Sequence, residues 1–209
     1  MSQQEFCFQQ EKHPLLVLDT HHASEQDYQV LLRLSVLQCK QLMIRLNACR
    51  SLNLNDYYIS GKTVCWYLWA ALVSSRSLSL TKILPEPVFV CYYRPLERNQ
   101  LRAQNYNKLM QCLGGRSKLI NVSQLNRNAL LQYVELSQPI SATTEALTRH
   151  PVQTYAFGIR LCANRRIEIF APFGLKSVLQ MQFTPNPLVV DPATYRKEKL
   201  QYLTAFRDD

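Results

Sequence analysis

No apolar run in this sequence approaches the ~20 residues that a membrane-spanning helix requires, so no membrane partner is expected. Its seven cysteines (Cys7, Cys39, Cys49, Cys65, Cys91, Cys112 and Cys162) stand singly, with no Cys-x-x-Cys pair among them. An odd, scattered set argues against a disulfide framework and points to reduced thiols in a cytoplasmic protein, most of them small core residues. The histidines His13, His21, His22 and His150 show no ligand spacing to cysteine or carboxylate, so no structural zinc site and no other cofactor is expected. A Gly-x-Ser-x-Gly elbow is missing, which removes the main support for Ser/His/Asp chemistry. Residues 1–5, Met-Ser-Gln-Gln-Glu, do not open a basic-then-apolar leader, so a secretory signal is not expected. There is no internal repeat and no low-complexity linker. The chain is read as an N-terminal extension over residues 1–23 followed by a single domain over 24–209.

What is present fits a folded globular protein. In 209 residues, 47% are hydrophobic and 19% charged, enough to bury one well-packed core. A formal net charge of +9 favours anionic partners such as nucleotides, RNA or acidic proteins. Yet the basic residues are dispersed, the densest group being Arg196-Lys197 with Lys199, so a plainly solvated basic surface explains the excess equally well.

The organising stretch runs from Tyr57 to Arg94. A β-rich run, Tyr57-Tyr58-Ile59, enters the small-residue turn Ser60-Gly61, and the bulky segment through Trp69 follows at helical spacing. A second apolar run, Pro87-Val88-Phe89-Val90-Cys91-Tyr92-Tyr93, has strand length. Strand, turn, helix and strand in that order set backbone amides and a helix N-terminus at the end of a sheet, a natural cradle for an anion.

Around this unit the pattern is mixed α/β. Leu15–Leu18 reads as a short strand. Ser24 with Asp27 forms a capping box, and apolar residues recurring at three- and four-residue steps predict one helix running to about Arg50. Residues 97–113 read as a helix stopped by Gly114-Gly115. Residues 118–122 read as a third strand, 123–134 as helical, and 143–150 as a short helix. Tyr155, Phe157, Ile159 and Leu161 alternate, as do residues 166–170 beyond an Ala163-Asn164 turn, which predicts a β-hairpin. Asp191-Pro192 caps a terminal helix to about Phe206.

Gly61-Lys62-Thr63 matches the tail of a phosphate-loop motif, but the glycine due five positions earlier is Asp56. The strand also meets the glycine without a loop long enough to encircle a triphosphate. A tight strand-to-helix turn is the better reading. Tyr92 and Tyr93 are read as packing rather than base-stacking residues.

The segments Gly158-Ile159-Arg160-Leu161, Arg166-Ile167-Glu168-Ile169-Phe170-Ala171-Pro172-Phe173-Gly174-Leu175 and Pro185-Asn186-Pro187 resemble a bacterial family of predicted nucleotidyltransferases, small relatives of the superfamily that includes DNA polymerase beta. The similarity spans roughly residues 30 to 205. It implies an α/β (α+β) nucleotidyltransferase fold: a small mixed sheet flanked by helices and completed by a C-terminal β-hairpin and helix. It further implies transfer of a nucleotidyl group from a triphosphate held by two divalent metals on three carboxylates. Here the turn survives as Ser60-Gly61, but the family's Arg-Asn pair corresponds to Val64 and Cys65. The carboxylate positions fall on Pro87, Phe89 and Asn121, while Arg127 matches a family arginine. Proline and phenylalanine cannot ligate Mg²⁺.

Three readings result. The first is a degenerate relative kept for binding a nucleotide, RNA or a protein partner, with Ser60, Gly61, Lys62, Arg127 and Arg160 as the nucleotide-side contacts. The second is an active Mg²⁺-dependent enzyme recruiting Glu86, Glu168 and Asp56 as replacement carboxylates. The third is a structural or regulatory subunit that docks a partner chain.

Overall fold

The structure is a computed structural model, and it describes residues 22–54, 56–74, 88–113, 117–124, 140–189 and 192–206. Helix α1 (Glu25–Gln38) begins as its sequence dictates. The Ser24 hydroxyl accepts from the Asp27 N–H at 3.3 Å, and the Asp27 carboxylate accepts from the Ser24 N–H at 2.8 Å. Each satisfies a donor that the first helical turn leaves without an internal partner. The continuous helix expected to reach Arg50 does not form. It breaks at Cys39, where ψ is 88°, and α2 (Lys40–Ser51) starts afresh. The Cys39 N–H still closes α1 on the carbonyls of Ser35 and Val36. The break lets Leu32 and Val36 of α1, and Leu42 and Leu46 of α2, enter one core as two shorter helices. No proline or glycine marks it, so periodicity alone could not reveal it.

Strand β1 (Tyr57–Ser60) runs directly into α3 (Gly61–Ser74), as expected. Then come β2 (Val88–Tyr92), α4 (Asn99–Leu113), β3 (Ser117–Asn121) and the short α5 (Thr143–Thr148). The hairpin is β4 (Gly158–Leu161) with β5 (Ile167–Phe170), followed by α6 (Lys176–Leu179) and α7 (Pro192–Phe206). The strands form a five-stranded mixed sheet in the order β3-β2-β1-β4-β5. Only β2 and β3 are parallel, because α4 supplies the crossover that parallel neighbours need; the other pairs are antiparallel.

Strand alternation divides the sheet into two faces. Ile59, Val90, Leu119, Ile159 and Ile167 lie in the main core with residues of the helices. Phe89, Cys91, Lys118, Ile120, Arg160 and Glu168 point to the other side and are half-buried or exposed. A small satellite cluster of Val122, Ile140 and Ala146 covers part of that side, against Cys91, Tyr93 and Ile120.

Some details differ from the sequence reading. Tyr155 alternates in phase with β4 but lies in a 3-10 turn over residues 153–155; the strand starts only at Gly158. Of the helix expected over 123–134, residues 123 and 124 belong to a 3-10 turn that starts at Val122, and the remainder lies outside the described residues. The expectations at Leu15–Leu18, Gly114-Gly115 and Asp191 also fall outside them. The Pro185-Asn186-Pro187 loop is pinned by its asparagine, whose side-chain amide donates to the carbonyls of Thr148 and His150 at 2.7 and 2.8 Å.

Candidate functional site

The Ser60-Gly61 turn joins the middle strand of the sheet to α3, so the geometry of the site begins there. Ser60 is buried and sits across from Gly158 of β4. The Gly61 N–H, the first amide of α3, donates to the Phe157 carbonyl at 2.7 Å. A Cβ on Gly61 would stand 2.4 Å from the Phe157 ring and 2.5 Å from the Tyr155 carbonyl. The glycine is required by close packing, and its amide is spent on the fold rather than held out to an anion.

Lys62 turns the same way. It is 9% exposed, and its ammonium lies 2.8 Å from Glu198 Oε2 on α7 while donating to Glu198 Oε1 and Gln201 at 3.0 and 3.3 Å. Thr63 completes the turn, its hydroxyl accepting from the Phe89 N–H at 3.0 Å. This bond fixes Phe89 beside the turn, on the half-buried face of β2. Phe89 pairs in register with Lys118 of β3, whose ammonium stands 5.6 Å from the centre of the phenyl ring. A hydrocarbon ring and a second cation thus stand where the resemblance calls for a carboxylate.

Asn121, the third carboxylate position implied by the resemblance, does not stand beside Phe89. Its register partner is Tyr92, three residues further along β2, or about 10 Å at the rise of a strand. Asn121 also lies on the buried face with Ser117 and Leu119. Its amide donates to the Arg94 carbonyl and to Glu97 Oε2, both at 2.9 Å, and its oxygen accepts from the Arg94 N–H at 3.2 Å. Glu97 also takes the Tyr92 hydroxyl. Asn121 organises the turn between β2 and α4. Asn121→Asp is therefore expected to cost about 1–3 kcal/mol, because it removes two buried donors and sets a second carboxylate against Glu97. Urea unfolding measures the loss, and calorimetry is expected to show no gain in Mg²⁺ affinity.

Among the replacement carboxylates, Glu86 lies outside the described residues, as do Pro87 and Arg127. Asp56 and Glu168 do come together, through Arg160. One guanidinium nitrogen lies 2.8 Å from Glu168 Oε1, and another lies 4.0 Å from Asp56 Oδ1. Glu168 also accepts the Tyr58 hydroxyl at 2.8 Å and the Cys162 thiol at 3.4 Å. Burial alone would raise the Glu168 carboxyl, but the hydrogen bonds from Arg160, Tyr58 and Cys162 prevail and hold it below its usual value. Burial and the bond to Glu168 push the Tyr58 phenol upward. Asp56, at φ 50°, accepts the Thr143 N–H at 2.9 Å and so anchors the start of α5.

Both carboxylates are thus committed to protein donors, and Arg160 is the charge that binds them into one network. They lie toward the β1 N-terminus, away from the Ser60-Gly61 turn. Among the described residues no three His, Cys, Asp or Glu side chains form a metal-holding group. Among the described residues beside the turn, a phenyl ring and an ammonium stand in place of carboxylates, which does not fit the two divalent ions implied by the resemblance.

Two residues important to this geometry were not singled out from sequence. Lys118 alternates with buried neighbours in Ser117–Asn121, a legible strand signal, but its partner depends on a parallel register that no local pattern reveals. Glu198 reads as one charge among several on a surface helix until α7 is docked on α3.

No curated protein matches the sequence. Among solved structures, an NMR structure described as revealing a CCA-adding enzyme head domain is similar in fold, with a TM-score of 0.63. Its identity is 18%, covering 84% of this chain and 87% of that one. A family model described as nucleotidyltransferase matches residues 47–207, from the last turns of α2 to the end of α7. With its fold and most of its length matched, the chain belongs to the nucleotidyltransferase family.

Proposed function

We propose that this protein is a catalytically degenerate nucleotidyltransferase relative, kept for binding an anionic partner rather than for transferring a nucleotidyl group. The observation that carries the reading is the pair beside the Ser60-Gly61 turn: the Phe89 ring with the Lys118 ammonium over it. Two-metal transfer needs oxygen ligands that neutralise the cations, and there the chain offers hydrocarbon and positive charge. The surrounding turn supports the same conclusion, since the Gly61 amide goes to Phe157 and the Lys62 ammonium to Glu198. Nucleotide contacts at Ser60, Gly61 and Lys62 would require both bonds to be given up.

The active alternative is less well supported, because Asp56 and Glu168 each carry protein hydrogen bonds and share the Arg160 guanidinium. Nucleotide or RNA remains the partner class that fits the net charge of +9 and the similarity to a CCA-adding head domain. Incubation with labelled nucleoside triphosphates, Mg²⁺ or Mn²⁺ and a mixture of RNA acceptors tests the reading. Incorporation is expected to stay at the protein-free background. Robust incorporation that disappears in Glu86→Ala or Glu168→Gln would replace the proposal with the active enzyme.

A further inference from the structure

We infer that the cleft between α4 and β3, on the opposite side of the sheet from the Phe89–Lys118 pair, is a binding site for single-stranded RNA. The cleft has a volume of about 320 Å³ and is lined by Asn99, Arg102, Ala103, Tyr106 and Leu119. That places it at the small end of ligand sites. Each lining residue has a distinct use. Leu119, 7% exposed, forms an apolar floor, and Tyr106, 42% exposed, offers an aromatic face at the mouth. The Asn99 side-chain amide carries both a donor and an acceptor for a base edge. The Arg102 guanidinium is held in orientation by a 2.9 Å bond to Gln124, leaving further donors for phosphate.

Among the described residues, the exposed charge around the cleft is of one sign. Helix α4 contains Arg102 and Lys108 but no acidic residue, and exposed Arg98 precedes it. The adjacent carboxylate, Glu97, is buried, with its Oε2 accepting from both Tyr92 and Asn121. Arg102 and Tyr106 lie one turn apart on α4, and Arg98, whose carbonyl accepts the Arg102 N–H at the helix start, extends the row by another four residues. Two cations leading to an aromatic cleft suit a strand with its backbone on the arginines and one unstacked base against Tyr106. A duplex keeps its bases stacked and offers none to the cleft. An acidic peptide would use the arginines but leave Tyr106 and Asn99 without a specific role.

This inference rests on the reading of the chain as a binding protein, and its test is separate from the incorporation assay. The full chain is titrated against a fluorescein-labelled, mixed-sequence RNA 10-mer by fluorescence anisotropy across a range of salt. Saturable binding is expected, weakened about tenfold by Tyr106→Ala and unchanged in Tyr106→Phe, as loss of one stacked base predicts. Arg102→Gln is expected to flatten the slope of log affinity against log salt by about 0.7, one phosphate contact on a single strand. Tyr106 is half-exposed, so these variants should melt with the wild type, which a thermal scan confirms. The inference is overturned if the 10-mer does not bind or if Tyr106→Ala binds as the parent does. Equal competition by AMP, which marks a mononucleotide site, or by polyglutamate, which marks charge alone, overturns it as well. Nucleotide incorporation would instead remove the degenerate reading and leave the cleft intact.

Discussion

Lys62→Met is expected to cost about 3–5 kcal/mol of folding stability, whereas Lys62→Met combined with Glu198→Leu should cost much less. The single change strands the Glu198 carboxylate in an environment where the pair is only 11% and 14% exposed. A buried charge without its partner bears the full desolvation penalty, while an apolar pair of similar volume does not. Denaturant unfolding of the two single variants and the double variant closes the cycle. This result bears on function as much as on folding. A lysine serving a phosphate would be lost with little change in stability, and removing Glu198 as well would not rescue it.

A loss of similar size is expected for Trp69→Ala, about 3–5 kcal/mol, or a melting temperature lower by roughly 2–4 °C for each kcal/mol. Trp69 is 1% exposed, and its indole N–H donates to the Val178 carbonyl at 2.9 Å. Its ring meets Tyr155, Tyr202 and Phe206 at 6.0, 5.1 and 5.5 Å, the last two edge-on. One side chain therefore joins α3 to α6 and α7, and alanine leaves a cavity that three separate elements cannot close together. Trp69→Phe keeps most of the volume but loses the indole bond to the Val178 carbonyl, which retains the Met181 N–H, so an intermediate loss is expected. Differential scanning calorimetry of the three proteins orders them.

The docking of α7 explains why both predictions are large. Its buried residues are Tyr202 and Phe206, and Phe206 reaches Trp66 at 4.9 Å as well as Trp69. The ion pair to Lys62 lies on the same contact. The helix that carries the densest basic group of the sequence is thus fixed on the main core by rings and by one buried charge pair.

Much of this fold was legible locally. The capping box at Ser24, the Ser60-Gly61 strand-to-helix turn, the alternation around Ala163-Asn164 and Pro192 at the first turn of α7 are short-range signals, and the structure contains each element they announce. The break at Cys39 was not legible, because no breaker residue marks it and the apolar spacing runs through it. The site was harder to read for a different reason. Phe89 is informative only once β2 is registered against β3, and the place of Asn121 is equally hidden because order along the chain says nothing of which face a strand residue takes. Shifting by three positions along a strand crosses to the opposite side of the sheet. Lys62 likewise shows its partner only at a separation of 136 positions along the chain.

The measurement that bears most directly on the central claim is calorimetric titration of the intact protein with a non-hydrolysable nucleoside triphosphate, with and without Mn²⁺. With Phe89 and Lys118 beside the turn, addition of Mn²⁺ is expected to produce no protein-dependent heat beyond that of the metal and nucleotide alone. Stoichiometric triphosphate binding that requires two Mn²⁺ ions per protein, and that Phe89→Asp does not strengthen, would contradict the account.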